Sequence, residues 1–88
     1  MMLRENFVLR QVADTWVVIA LGSATADFNG MLTLNETGAL LWRALERGAN
    51  RDELATALTS EYSVDRELAL NDVDEFLNKL TKVGCLEV

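Results

Sequence analysis

The segment MLTLNETGALLW, residues 31–42, changes its hydrophobic periodicity in the middle of the chain. Its first half alternates as a β-strand does, and its second half has the spacing of an amphipathic helix. Between the halves stands Asn35, a favourable helix N-cap, followed by Glu36 in the first turn, where the helix dipole stabilises a negative charge. A direct strand-to-helix joint at this point predicts that a sheet precedes it and helices follow it.

Two runs before the joint predict further strands. FVLRQV (residues 7–12) alternates weakly, and TWVVIAL (residues 15–21) is rich in β-branched and aromatic residues, so the two predict a hairpin. A third strand is predicted over Gly30–Leu34. Before it, the turn signal Asn29-Gly30 leaves two alternatives open. It closes a tiny hairpin between TADF (residues 25–28) and MLTL, or it is a bulge or loop that leads into a single third strand; we favour the single strand, with residues 26–29 loosely extended before it.

Three helices are predicted after the joint. Asn50 and Glu53 form a capping box for the second helix, Asp65 caps the third, and Gly84 ends it. The residues predicted to face inward are Ala39, Leu41, Trp42 and Leu45, then Leu54, Leu58 and Tyr62, then Ala69, Val73, Phe76, Leu80 and Val83. The last residues, CLEV, are expected as a short extended tail. We therefore expect one α+β domain over residues 1–88, a three-stranded antiparallel sheet followed by three helices with a winged helix-turn-helix outline.

Composition excludes several classes of function. The chain has no histidine and one cysteine, so histidine-based acid/base catalysis and histidine metal sites are excluded. No glycine-rich phosphate loop is present, and Asp72, Asp74 and Glu75 are interpreted as a solvated helix face, so we expect no enzyme, no cofactor and no metal. Cys85 is expected to be a small core residue in a reducing compartment. No signal peptide is visible and the longest apolar run, WVVIAL, is too short to cross a bilayer, so a cytoplasmic protein without membrane contact is predicted.

The charge distribution also restricts the partner. Residues 1–33 carry three acids and two bases, so residues 34–88 hold −5 of the net charge of −6. Such a field repels phosphate backbones, which makes nucleic acid an unfavourable partner. It favours, modestly and in a salt-dependent way, a peptide with some basic residues.

The third helix carries a second stripe besides its core stripe. Leu70, Asp74, Leu77 and Thr81 lie on one line by helical spacing. Two interpretations stay open: this stripe widens the contact with the core, or it lines an open groove.

The motifs LNETGALLW, DELATALTSEYSVD and DVDEFLNKLTKVGCL together resemble the PqqD family of small RiPP recognition elements, which bind leader peptides. The resemblance covers roughly residues 5–88, and its most specific part is the strand-to-helix joint. It implies a winged-helix-like fold of three strands and three helices. It also implies that the leader peptide of a precursor adds a strand to the edge of the third strand and rests its side chains on the third helix.

An edge strand offers unpaired N–H and C=O groups to such a peptide, and we expect an antiparallel pairing. The candidate peptide-binding residues are Gly30, Met31, Leu32, Thr33, Leu34, Leu70, Asp74, Leu77 and Thr81. The implied partners are a leader peptide and a RiPP maturation enzyme, a role for which the family serves radical SAM enzymes, lasso-peptide proteases and others. The alternative is a winged-helix structural or DNA-binding module, which the acidic second and third helices disfavour.

Overall fold

The computed structural model describes residues 2–22 and 31–87. Its strands are β1 Met2–Leu3, β2 Phe7–Val12, β3 Thr15–Ala20, β4 Met31–Leu34 and β5 Leu86–Glu87. Its helices are α1 Glu36–Glu46, α2 Arg51–Glu61 and α3 Arg66–Val83. The predicted α+β class, a three-stranded antiparallel sheet followed by three helices, is confirmed.

Among the residues that the structure describes, the main sheet has the order β2-β3-β4 with antiparallel neighbours, so β3 is central and β4 lies at an edge. Leu32 and Leu34 of β4 are buried in the core that the helices cover, whereas Thr33 between them is exposed. The predicted third strand included Gly30, but β4 begins at Met31. Gly30 and the segment 24–29, for which a hairpin or an extended loop was expected, lie outside the described residues.

The helix boundaries follow the capping residues that the sequence indicates. Asn35, Asn50 and Asp65 are the N-caps, and the side chain of each accepts a backbone N–H from the first turn. Glu53 returns a bond to the backbone N–H of Asn50, which completes the predicted capping box. Gly84 ends α3 in the left-handed conformation, with φ of +83°, which glycine adopts without steric cost.

The core lies between the sheet and the helices, and its largest fully buried side chains include Trp42, Leu41, Leu54 and Leu80. One inward-facing prediction is wrong: Tyr62 is 37% exposed. The helix α2 ends at Glu61, and Tyr62 is its C-cap with an extended backbone. Helical spacing therefore no longer determines the direction of the Tyr62 side chain.

A second, two-stranded sheet was not foreseen. β1 pairs antiparallel with β5, placing Met2 opposite Glu87 and Leu3 opposite Leu86. The N–H of Arg4 donates to the carbonyl of Cys85 at 2.8 Å. The tail that was predicted only as extended therefore joins the two ends of the described chain. The sequence does not indicate this pairing, because two-residue strands are too short to give a periodic signal.

Candidate functional site

The outer edge of β4 presents backbone groups whose direction follows from the sheet register. Because the two-residue loop Ala13–Asp14 joins β2 to β3, the flanking residues form a hydrogen-bonded pair, and such pairs alternate along the strands. In β3, Trp16 and Val18 therefore direct their N–H and C=O groups toward β4, where they lie opposite Leu34 and Leu32. It follows that the N–H and C=O groups of Thr33 and Met31 point away from the sheet.

Lys79 of α3 marks this outward direction. Its Nζ donates a hydrogen bond to the backbone carbonyl of Thr33, with 3.3 Å between the two atoms. A carbonyl that pointed toward β3 would be occupied by the sheet ladder, so this contact agrees with the register. A lysine over an edge strand also discourages pairing with unwanted chains.

A groove of about 300 Å³ lies beside this edge, between the β4–α1 joint and α3. Its floor is apolar: Leu34, Leu41 and Phe76 are all at most 8% exposed. Polar side chains surround the floor, and those on α3 are Asp72, Glu75 and Lys79. The groove thus combines an apolar base, a charged wall and a strand edge that is unpaired within residues 2–22 and 31–87.

The joint itself fixes the relation between β4 and α1. The side chain of Asn35 accepts the N–H of Gly38 at 2.8 Å, which closes the first turn of α1 directly after the strand. Gly38 is buried, and a Cβ at this position would lie 3.2 Å from the Cβ of Leu34. The absent side chain lets the first helical turn pack closely against the strand end that lines the groove.

The sequence matches the family described as coenzyme PQQ synthesis protein D (PqqD) over residues 15–86, which include β3, β4 and all three helices. The chain belongs to the PqqD family. No curated relative matches the sequence.

Two solved structures resemble this PqqD-family chain over nearly its whole length. One is TbiB1 in complex with the TbiA(beta) leader peptide; it is 29% identical, has a TM-score of 0.81, and the match covers 99% of this chain and 95% of that chain. The other is a lasso peptide synthetase B1 complexed with the leader peptide; it is 29% identical, has a TM-score of 0.76, and the match covers 94% of this chain and 92% of that chain.

The α3 residues selected from the sequence lie on a different side of the helix from the groove. Asp74 pairs with Arg51 of α2, with 2.7 and 2.9 Å between the bonded atoms. The guanidinium hydrogen bonds lower the pKa of Asp74. Leu70 and Leu77 are partly buried against the core, and Thr81 donates its hydroxyl to the carbonyl of Leu77 at 2.8 Å.

The face of α3 that lies beside β4 is therefore the one that carries Asp72, Glu75, Phe76 and Lys79. By helical spacing, the line through Leu70 and Leu77 points roughly opposite to Asp72 and Lys79. The sequence pattern does not single out the groove face, because Phe76 has the spacing of the core stripe and the acids have the spacing of a solvated surface. The available signal was that Asp72, Glu75 and Phe76 share one side of the helix. The role of the Leu70 line in peptide binding stays a prediction.

Neither a metal centre nor a membrane span is found in the part of the chain that the structure describes. Within residues 2–22 and 31–87, no three histidine, cysteine, aspartate or glutamate side chains are grouped so that they could hold a metal ion. No helix in these ranges combines the length and the apolar character needed to cross a bilayer.

Cys85 follows the C-cap of α3 and is buried, as expected. Burial raises the pKa of its thiol to about 11, although the nearby Arg4 guanidinium acts in the opposite direction. Because the thiolate is the nucleophile, we expect iodoacetamide at pH 7.5 to modify Cys85 only as fast as the domain opens. Mass spectrometry of the folded and the urea-unfolded protein measures both rates, and equally fast alkylation in the two states would contradict the burial. The pKa of the unfolded thiol lies near its ordinary value of 9.0. The stability that the buried neutral thiol contributes is therefore fully present below pH 9 and is lost as pH rises toward 11.

Proposed function

We propose that this PqqD-family chain is a non-catalytic adaptor that binds the leader peptide of a ribosomally synthesised precursor and presents it to a maturation enzyme. The observation that carries the proposal is the edge of β4, which no other described strand covers, beside an apolar groove in a fold similar to two proteins solved with leader peptides. A radical SAM enzyme is one class of partner that would suit the family, and the cytoplasm is the compartment that a single buried cysteine suits.

In the proposed complex the leader adds an antiparallel fourth strand to the main sheet. The outward N–H and C=O of Thr33 pair with one peptide residue, and those of Met31 pair with the residue two positions further along. The Thr33 carbonyl has two lone pairs, so it can accept the peptide N–H beside its bond from Lys79. Peptide side chains opposite Leu32 and Leu34 then point toward α3, because neighbouring strands share the same pleat. Backbone bonds supply affinity in this arrangement, and the groove supplies preference for particular side chains.

The alternative function as a DNA-binding winged helix has little electrostatic support. A helix that reads DNA carries exposed bases, yet Arg51 of α2 is already bound by Asp74. Arg66 at the start of α3 lies 3.5 Å from the carboxylate of Asp52. The net charge of −6 opposes a polyanion as a whole.

Titration calorimetry with the leader half of a precursor peptide encoded beside this gene tests the proposal. The TbiA(beta) leader serves as a second probe. We expect binding of at least one of these peptides with a Kd between nanomolar and tens of micromolar, about −7 to −12 kcal/mol. Absence of heat and of chemical-shift change for both peptides at millimolar concentration would contradict the adaptor function.

Amide hydrogen exchange locates the bound peptide. We expect added peptide to protect residues 31–34 and the α3 face of Asp72, Glu75 and Lys79. Protection of the amides around Leu70 and Leu77, with exchange at the groove face unchanged, would instead support the stripe of α3 selected from the sequence. Protection confined to residues 7–20 would place the peptide at the opposite edge of the sheet and contradict both arrangements.

A further inference from the structure

Two carboxylates stand over the apolar floor of the groove without an ion-pair partner among the residues that the structure describes. They belong to Asp72, which is half-buried, and Glu75, which is exposed, and both line the groove. Lys79 is one turn from Glu75, yet its ammonium binds the Thr33 carbonyl instead. Asp74, which lies outside the groove, is by contrast neutralised by Arg51.

The positive end of α1 does not account for these charges. The first turn of α1 borders the groove, and a helix N-terminus carries roughly half a positive charge. That turn already has the Asn35 cap and the carboxylate of Glu36. The groove-lining side chains of α3 comprise two carboxylates and the Lys79 ammonium, a net charge of −1. This wall of the groove is therefore negative, and a bound cationic group would relieve it.

The groove has a direction relative to β4. Lys79 is bonded to the Thr33 carbonyl at one end of the groove. The groove residues contributed by β4 and α1 lie between Leu34 and Leu41, so they all follow Thr33 in the chain. Asp72 is about 10 Å from Lys79 along the helix axis. The acidic end of the groove therefore lies beyond Leu34, beside the first turn of α1. An antiparallel peptide passes this end with its N-terminal part first.

Because side chains alternate across a strand, the peptide residues that face α3 are two positions apart. The residue opposite Leu34 lies above the floor of Leu41 and Phe76, where a large apolar side chain is favoured. The residue two positions earlier points toward Asp72 and Glu75. Resting on the proposed function, we infer that the leader carries lysine or arginine two residues before a large apolar residue, and that Asp72 and Glu75 recognise this base.

Peptide display tests the inference without a known precursor. A phage library of random 12-residue peptides is selected on the wild-type chain and on the double variant Asp72→Asn/Glu75→Gln. A control variant, Glu46→Gln/Glu67→Gln, removes the same amount of charge from exposed helix positions outside the groove. We expect the wild type and the control to enrich a base two residues before an apolar residue, and the groove variant to keep only the apolar preference.

One selected peptide then gives the magnitude. Fluorescence anisotropy compares this peptide with its Lys→Met form, and we expect the wild type to bind the methionine form about fivefold more weakly at low salt. The difference should shrink at 0.5 M salt and vanish in the groove variant. Equal binding of both forms by the wild type overturns the inference but leaves the proposed function standing. If neither the wild type nor the variants enrich any peptide, both the inference and the adaptor function are wrong.

Discussion

Replacing Thr33 by proline should weaken leader-peptide binding while the domain stays folded. The Thr33 N–H points out of the sheet, so proline removes no ladder bond inside the protein, and edge strands tolerate it at such positions. An incoming strand loses one backbone hydrogen bond and meets the pyrrolidine ring. We expect a loss of about 1–2 kcal/mol of binding free energy, or roughly five- to thirtyfold in Kd. Calorimetric titration beside a urea unfolding curve measures both quantities.

Two further substitutions in β4 serve as controls for the Thr33→Pro experiment. Thr33→Ala keeps the backbone N–H and changes only an exposed side chain, so binding should stay within about twofold of the wild type. Leu32→Pro removes an N–H that bonds to β3 and also deletes a buried side chain, so it should unfold the domain. If Thr33→Pro unfolds the protein and Leu32→Pro does not, the assigned direction of the β4 backbone is reversed.

The elements near the joint were predictable because local chemistry decides them. Asn35, Asn50 and Asp65 are capping residues followed by helical spacing, and each caps a helix in the structure. The position of β4 at the sheet edge also followed, since two strands with a short connection precede it and helices follow it. These features depend on neighbours within a few residues, which a sequence displays directly.

The orientation of α3 could not be obtained in this way. Helical spacing groups Leu70 with Leu77 and Asp72 with Glu75, but it does not say which group turns toward β4. That choice depends on how α2 and α3 pack, a contact to which the Arg51–Asp74 bridge contributes between residues far apart in the sequence. The β1–β5 pairing is similarly non-local, because it joins the two ends of the described chain.

Trp42→Ala should cost roughly 3–5 kcal/mol of unfolding free energy, a large share of the stability of a domain this small. Trp42 is fully buried on the inward side of α1, and it does not line the groove, whereas its neighbour Leu41 does. Truncation leaves a cavity at the contact of α1 with the core, so folding rather than recognition is affected. Urea unfolding followed by circular dichroism gives the free energy, and peptide binding is measured on the fraction that remains folded.

Trp42→Phe separates the size of this side chain from its polar group. The Nε1–H of Trp42 has no hydrogen-bond acceptor among the described residues, and a buried unpaired donor costs about 1–3 kcal/mol. Phenylalanine removes that donor while filling much of the volume, so Trp42→Phe should lower the free energy of unfolding by less than about 2 kcal/mol. A Trp42→Ala protein as stable as the wild type but unable to bind peptide would make Trp42 a contact residue instead. That result would require the peptide to contact the Trp42 side chain, which is fully buried in the structure.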